Sequence, residues 1–318
     1  MANIVLLGKC NLKCPYCFAD GFTSSQGADF DMSNLEKVLD FIAPDGEVGL
    51  IGGEPLMYKS IDTVLDILAA DPRFSAVTLF TNGVLIDKHI DHLVGYKLHI
   101  LINLNSSEDI GAVALERIDK NIEALIRRGM KNRITLGINV YKPDQSFDEF
   151  VSIASKYGFQ RVRLSVSIPK DKSEGAIAYF EKMKPTLLFL YKKLKEKGIA
   201  PCPDCNIIPE CLYTEEEKAF IDTLSCVSPR EKALLLGKAS VCSPIIDIYP
   251  DLTATRCFGC YDDIKISISS FKTINDLKNY FFMWIDSKRV HTPVRAECKD
   301  CYKFNTFACY GACLCYKK

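Results

Sequence analysis

The chain has 318 residues, in which 40 Lys plus Arg are balanced by 40 Asp plus Glu and 48% of positions are hydrophobic. Such neutrality supplies no strong field for phosphate backbones or acidic membranes, so neither nucleic acid nor a membrane is the expected partner. The opening MANIVLLGKCNLKC lacks a basic segment, its apolar run is too short for a signal peptide, and nowhere do roughly 18 apolar residues run together. The expected location is therefore cytoplasmic, where thiols stay reduced, and an odd total of 15 cysteines in a chain this long argues against a disulfide framework.

Strand-like and helix-like patterns alternate along the first two thirds. An apolar run from Asn3 to Gly8 reads as the first strand, and Ser33 with Glu36 reads as a capping box for a helix carrying Leu35, Val38, Leu39 and Ile42. Strand Glu47 to Ile51 precedes a helix with Ile61, Val64, Leu65 and Leu68. Next come strand Ala76 to Thr81, helix Ile86 to Val94, strand Lys97 to Asn105 and a helix ending near Gly129. Strand Arg133 to Val140 leads to a helix opened by Ser146 with Glu149 and closed near Gly158. The sixth strand is Arg161 to Ile168, followed by a long Lys-rich helix, Glu174 to Lys197, with an expected kink at Pro185. Six βα units call for an α/β fold with a parallel sheet and helices outside, open or curled into part of a (β/α)8 barrel.

In such folds ligands lie at the C-terminal ends of the strands, and the polar motifs fall there. Cys10, Cys14 and Cys17 (CNLKCPYC) follow strand one. Three thiolates on one loop suit an iron-sulfur cluster that keeps one iron without a protein ligand, whereas clusters used only for electron transfer are normally held by four cysteines. Zinc is the alternative, but a closed zinc site needs a fourth ligand, and no His or Cys follows Cys17 until His89. Gly52-Gly53-Glu54-Pro55 follow strand two. The paired glycines would let a ligand approach the backbone, and Glu54 would offer a carboxylate to an ammonium group. Thr81-Asn82-Gly83 end strand three and Asn103 to Ser106 end strand four.

With both motifs in place the chain resembles the radical S-adenosylmethionine (SAM) enzymes. CNLKCPYC is similar to that family's C-x3-C-x-aromatic-C motif with Tyr16 in the aromatic place, and GGEP to its SAM amino-group motif. The resemblance implies a partial (β/α)6 TIM-like barrel, a SAM-binding 4Fe-4S cluster on Cys10, Cys14 and Cys17, and SAM contacts from Tyr16, Gly52, Gly53, Glu54, Pro55, Asn82 and Asn103. Asn103 stands where many relatives have serine and Asn105 where many have aspartate.

Twelve further cysteines lie in the last third, at 202, 205, 211, 226, 242, 257, 260, 298, 301, 309, 313 and 315. That density exceeds what packing requires, and metal ligation by iron or zinc is the economical reading. Their spacing resembles the SPASM extension of radical SAM enzymes, a smaller cysteine-rich α+β domain that carries one or two auxiliary 4Fe-4S clusters. This places a radical SAM core at residues 1–198 and the extension, with its linker, at 199–318. By the same resemblance, Cys242, Cys257 and Cys313 share one cluster with an upstream cysteine, and Cys298, Cys301, Cys309 and Cys315 hold a second. The pattern departs from the family at Leu252, in a seven-residue spacing between Cys301 and Cys309, in the early Cys315 and in the extra Cys260. Cys202, Cys205 and Cys211 read as a proline-rich linker folded over the mouth, with at least one of them a ligand, and Cys226 reads as structurally buried. Phe281, Phe282 and Trp284 are expected to pack the tail domain. His89 and His92 share a helical face, but no third ligand accompanies them.

The resemblance implies reductive cleavage of SAM to a 5′-deoxyadenosyl radical that abstracts hydrogen from a C–H bond, with an electron donor such as a flavodoxin or ferredoxin. The substrate it favours is a peptide or protein, as in precursor-peptide maturation, although Cys10 leaves no room for a preceding leader-recognition domain. A dehydrogenase or epimerase of a small sugar-like molecule is the second reading, and a non-catalytic iron-sulfur binding protein the third. No acid-base residue stands out.

Overall fold

The computed structural model describes residues 1–23, 28–224, 228–238, 242, 245–261 and 263–317. Its strands are β1 (Ala2–Val5), β2 (Glu47–Ile51), β3 (Ala76–Thr81), β4 (Leu98–Asn103), β5 (Ile134–Val140), β6 (Arg161–Val166), β7 (Ala200–Pro203), β8 (Ile246–Ile248), β9 (Thr253–Thr255) and β10 (Ile266–Ser267). The chain forms two compact units, one of Met1–Thr135 with Pro244–Met283 and one of Leu136–Ser243 with Trp284–Lys318.

In the first unit β1 pairs in parallel with β2, β2 with β3 and β3 with β4. The connections are helices Leu35–Ile42, Ile61–Ala70 and Ile86–Gly95, with Ala112–Arg127 following β4. Helical spacing buries Leu35, Val38, Leu39 and Ile42 in the first of these and Ile61, Val64, Leu65 and Leu68 in the second. Each such side chain contributes about 1.5–3 kcal/mol on full burial. On β3 the same period-two alternation buries Val77, Leu79 and Thr81, while Thr78 and Phe80 on the opposite face remain half-buried. β8 adds in parallel to the other side of β1, with Asn3 opposite Asp247, and β9 and β10 continue antiparallel. Val5, Phe22, Ile51 and Tyr249 form a buried cluster against which Phe80, Phe258 and Tyr261 pack. In the second unit β5, β6 and β7 pair in parallel, with helices Asp148–Lys156 and Ala176–Glu196.

Several local expectations are corrected. The helix after the cysteine loop is opened by Asp31, whose carboxylate accepts from Ser33 N at 2.9 Å, not by Ser33. Residues 200–203 form a strand on β6 where a linker was expected, because Pro201 and Pro203 mask the pattern. Phe281 is buried, but Phe282 and Trp284 are 60% and 61% exposed and do not pack a core. His89 bridges Asp62 Oδ1 at 3.0 Å and the Leu56 carbonyl at 3.1 Å, pinning the turn that follows Pro55.

Candidate metal centre

All the first-site motifs lie in the first unit, in the turns that leave the C-terminal ends of β1, β2, β3 and β4. The stem of the cysteine loop is held by the turn after β2. Gly53 N donates to Leu7 O at 2.8 Å and Glu54 N to Lys9 O at 2.9 Å. A Cβ on Gly53 would stand 2.2 Å from Lys9 O and 2.5 Å from Lys9 C, and one on Gly52 would stand 2.7 Å from Leu7 O. The glycines therefore make room for the chain's own residues 7–10.

Glu54 is likewise turned inward. Its side chain is 0% exposed, and its oxygens accept from Leu56 N at 3.1 Å, Thr81 Oγ1 at 2.7 Å and Asn82 N at 2.8 Å. Three of the roughly four lone-pair positions of a carboxylate are thus filled by protein donors. These contacts tie the tip of β3 to the turn after β2. Burial raises its pKa to about 7, against the lowering effect of those donors.

The tip of β3 in turn grips the cysteine loop. Asn82 Nδ2 donates to Asn11 Oδ1 at 2.8 Å and to Cys10 Sγ at 3.7 Å, while its Oδ1 accepts from Val84 N at 3.0 Å. Leu12 N also donates to Cys10 Sγ at 3.4 Å. From β4, Asn103 Nδ2 donates to the Tyr16 hydroxyl at 2.9 Å, and Asn105 Nδ2 donates to Cys14 Sγ at 3.2 Å. Asn105 was passed over as a site residue. Its signal was its type: a buried amide two residues past a strand end, in the row of polar strand tips. Asn82, Asn103 and Tyr16 gather at the loop, where their contacts are to protein groups.

Burial raises Cys10 to about 11 and Cys14 to about 12, and mutual repulsion among the thiols of Cys10, Cys14 and Cys17 adds to the rise. The three are therefore half-buried electrostatic neighbours, with N–H donors aimed at two of the sulfurs. Among the described residues, no three acidic, His or Cys side chains converge as ligands of a single ion. A cluster spreads its thiolates over separate irons, and three neighbouring thiols on one loop fit that group.

The later cysteines fall into local groups. In the first unit, Cys257 Sγ and Cys260 Sγ are 3.9 Å apart. In the second, burial raises Cys211, Arg295 opposes the rise, and Cys309 and Cys298 reinforce it, so these three thiols are neighbours. Arg295 Nη2 donates to Cys211 Sγ at 3.3 Å and Gly311 N to Cys309 Sγ at 3.2 Å. Cys301 N closes on Cys298 O at 3.2 Å, and Cys315 is buried. Buried Lys317 is held near 8 by burial while Cys298, Cys309 and Cys313 pull it upward. Cys202 accepts from Arg161 Nε at 3.3 Å; Cys205 is exposed, and Cys242 and Cys313 are half-buried. Cys226 lies outside the described residues.

A sequence profile of the radical SAM superfamily matches residues 4–157. Among curated proteins, the GTP 3′,8-cyclase of Chlorobaculum tepidum is 34% identical over 94 residues, covering 29% of this chain and 28% of that protein. The GTP 3′,8-cyclase of Vibrio vulnificus is 26% identical over 176 residues, covering 54% and 46% respectively. The chain thus spans less than half the length of these two relatives. Among solved structures, anSMEcpe with bound AdoMet and the Cp18Cys peptide superposes with a TM-score of 0.66 at 17% identity, covering 98% of this chain and 88% of that one. Streptococcus suis SuiB bound to S-adenosylmethionine gives 0.63 at 16%, covering 98% and 72%. SuiB with its precursor peptide SuiA gives 0.61 at 16%, covering 99% and 70%. At these identities the likeness establishes the fold, an α/β partial barrel of the radical SAM type.

Proposed function

We propose that this chain, whose residues 4–157 match the radical SAM superfamily profile, is an enzyme that cleaves SAM reductively and abstracts hydrogen from a C–H bond of a peptide or protein. The observation that carries the reading is the three neighbouring thiols of Cys10, Cys14 and Cys17 beneath the amide donors of Asn82 and Asn105. When bound, a 4Fe-4S cluster and SAM would supply the electron and the 5′-deoxyadenosyl radical. The chain's own part is to hold Cys10, Cys14 and Cys17 as the cluster's ligands and to aim N–H groups at their sulfurs. The β2 and β3 turns keep the loop in register.

A peptide substrate is supported by fold likeness to SuiB and anSMEcpe, both solved with peptides bound. Those superpositions span nearly the whole chain, the cysteine-rich tail included. The second reading, a small-molecule reaction on a nucleotide, rests on the GTP 3′,8-cyclases among the sequence relatives. Anaerobic reconstitution with iron and sulfide, followed by dithionite and SAM, tests the common core. 5′-Deoxyadenosine should form, and replacing Cys10, Cys14 and Cys17 by Ala should abolish it. Retained cleavage would sink the assignment. Adding GTP or candidate peptides to the same mixture separates the two substrates, since the true one is consumed in step with deoxyadenosine.

A further inference from the structure

β9 runs into a short turn, Arg256-Cys257-Phe258-Gly259-Cys260-Tyr261, in which Cys260 N donates to Cys257 O at 2.9 Å and closes the C-x2-C stretch. A hydrogen-bonded turn of four residues keeps its first and last Cα atoms within about 7 Å, a span that overlaps the roughly 4.4–6.8 Å of disulfides. The sulfurs already stand in contact at 3.9 Å, and bonding at about 2.05 Å calls for side-chain rotation alone. Cys257 is half-buried and within reach of solvent, whereas Cys260 is 2% exposed. Cys260 is also the thiol that the SPASM-like pattern leaves over, and Cys242 and Cys313, the partners that pattern gives Cys257, belong to the other compact unit. We propose that Cys257 and Cys260 form a reversible dithiol–disulfide couple, with Cys257 as the attacking thiol and Cys260 as the resolving one.

The oxidant is a small-molecule disulfide. The Cys257 thiolate attacks one of its sulfurs, forming a mixed disulfide and expelling the first small thiolate; Cys260 then attacks Cys257 Sγ, closing the turn disulfide and expelling the second. Two protein thiols are oxidised, one small disulfide is reduced to two thiols, and the protons of the pair leave on those thiols. Inside the turn Cys257 donates to Cys260, and that bond and burial hold its proton on, while fully buried Arg256 works the other way by favouring the thiolate. The frame around the pair is firm: the buried Asp247 carboxyl takes a hydrogen bond from Phe258 N and another from Asn3 Nδ2 at 2.7 Å. Phe258 and Tyr261 pack edge-to-face on Tyr249, and Lys265 Nζ stands 3.5 Å over the Tyr261 ring. Phe258, between the two cysteines, also meets Phe18, the residue after Cys17, with ring centroids 4.8 Å apart. The couple thus lies one ring contact from the loop of Cys10, Cys14 and Cys17, and disulfides of this kind in reducing compartments are transient and redox-sensing.

The test uses the full chain, purified anaerobically with its iron and equilibrated with oxidised and reduced glutathione at graded ratios. After an acid quench and alkylation, each cysteine is read by peptide mass spectrometry. The peptide carrying Cys257 and Cys260 should become lighter by two hydrogens in one two-electron transition and should return to two alkylated thiols with dithiothreitol. Cys260→Ser should stop at a glutathione adduct on Cys257, and Cys257→Ser should leave buried Cys260 unmodified. A lasting adduct on Cys257 in the parent chain, or two thiols that stay alkylatable at every ratio, would overturn the proposal. So would a Cys257 that reacts only after a chelator strips the iron, which returns it to a cluster. The parent chain decides these points by itself, so they stand even where a variant fails to fold. Alkylation of Cys10, Cys14 and Cys17 in the same digests reports the SAM-binding cluster separately.

Discussion

Gly53→Ala is the sharpest probe of how the cysteine loop is held. The new Cβ would lie 2.2 Å from Lys9 O, 2.5 Å from Lys9 C and 3.0 Å from Cys10 N, all backbone atoms that no rotamer change can move aside. Relief requires the β2 turn and the loop stem to part, which breaks the hydrogen bonds from Gly53 N to Leu7 O and from Glu54 N to Lys9 O. Overpacking of this kind costs about 1–3 kcal/mol, and each lost hydrogen bond adds about 0.5–1.5 kcal/mol. A loss of about 2–6 kcal/mol is expected in urea unfolding of the metal-free chain, together with a fall in iron bound after reconstitution. Gly95→Ala is the matched control, since nothing lies within 4 Å of its Cβ and it closes a helix. There alanine should stabilise by about 0.5–1 kcal/mol. A Gly53→Ala protein within about 0.5 kcal/mol of the parent, the spread expected of an inert surface change, and with full iron would refute the packing argument.

Glu54→Ala strands the donors of Leu56, Thr81 and Asn82 in a dry site. At about 1–3 kcal/mol per unsatisfied buried group, it should destabilise by at least 3 kcal/mol in the same titration, and a near-neutral result would mean that water replaces the carboxylate. Asn105→Leu removes the donor to Cys14 Sγ and should lower the midpoint potential of the reconstituted cluster, measured by EPR redox titration; an unchanged potential would show the amide to be a bystander. His99, bonded to Thr135 Oγ1 at 2.8 Å, has its pKa lowered from 6.5 by burial. The unfolded chain therefore takes up this proton first as pH falls, so the contribution is complete above about 6.5 and is lost as pH drops through the lowered native pKa. His99→Asn should flatten that acid limb of chemical stability, and an unaltered limb would assign it elsewhere.

The parallel core was legible because Val38, Leu39, Val64, Leu65 and Leu68 keep the helical period and β3 alternates with a period of two. β7 was not, since Pro201 and Pro203 cannot donate to a ladder and read as linker; an outermost strand tolerates them because one of its sides needs no partner. At the site, residue type and position announced Cys10, Cys14, Cys17 and the Gly-Gly-Glu-Pro turn. What the letters could not tell was direction. A glutamate at a strand end reads the same whether its carboxylate faces a ligand or, as with Glu54, three donors of its own chain. The close Cys257–Cys260 pair also depends on the conformation of the turn, which spacing alone leaves open.

The pairing of β8 with β1 has a practical side. A chain cut after residue 198 would keep every motif of the SAM site and still be crippled, because β1, the strand that delivers Cys10, would lose the neighbour on one flank. Its unpaired backbone would become a template for association between copies, and the Asn3 amide would lose the carboxylate that now receives it. The last third of the sequence thus serves as scaffold for the first, and the smallest piece that keeps β1 paired on both sides extends to at least β8.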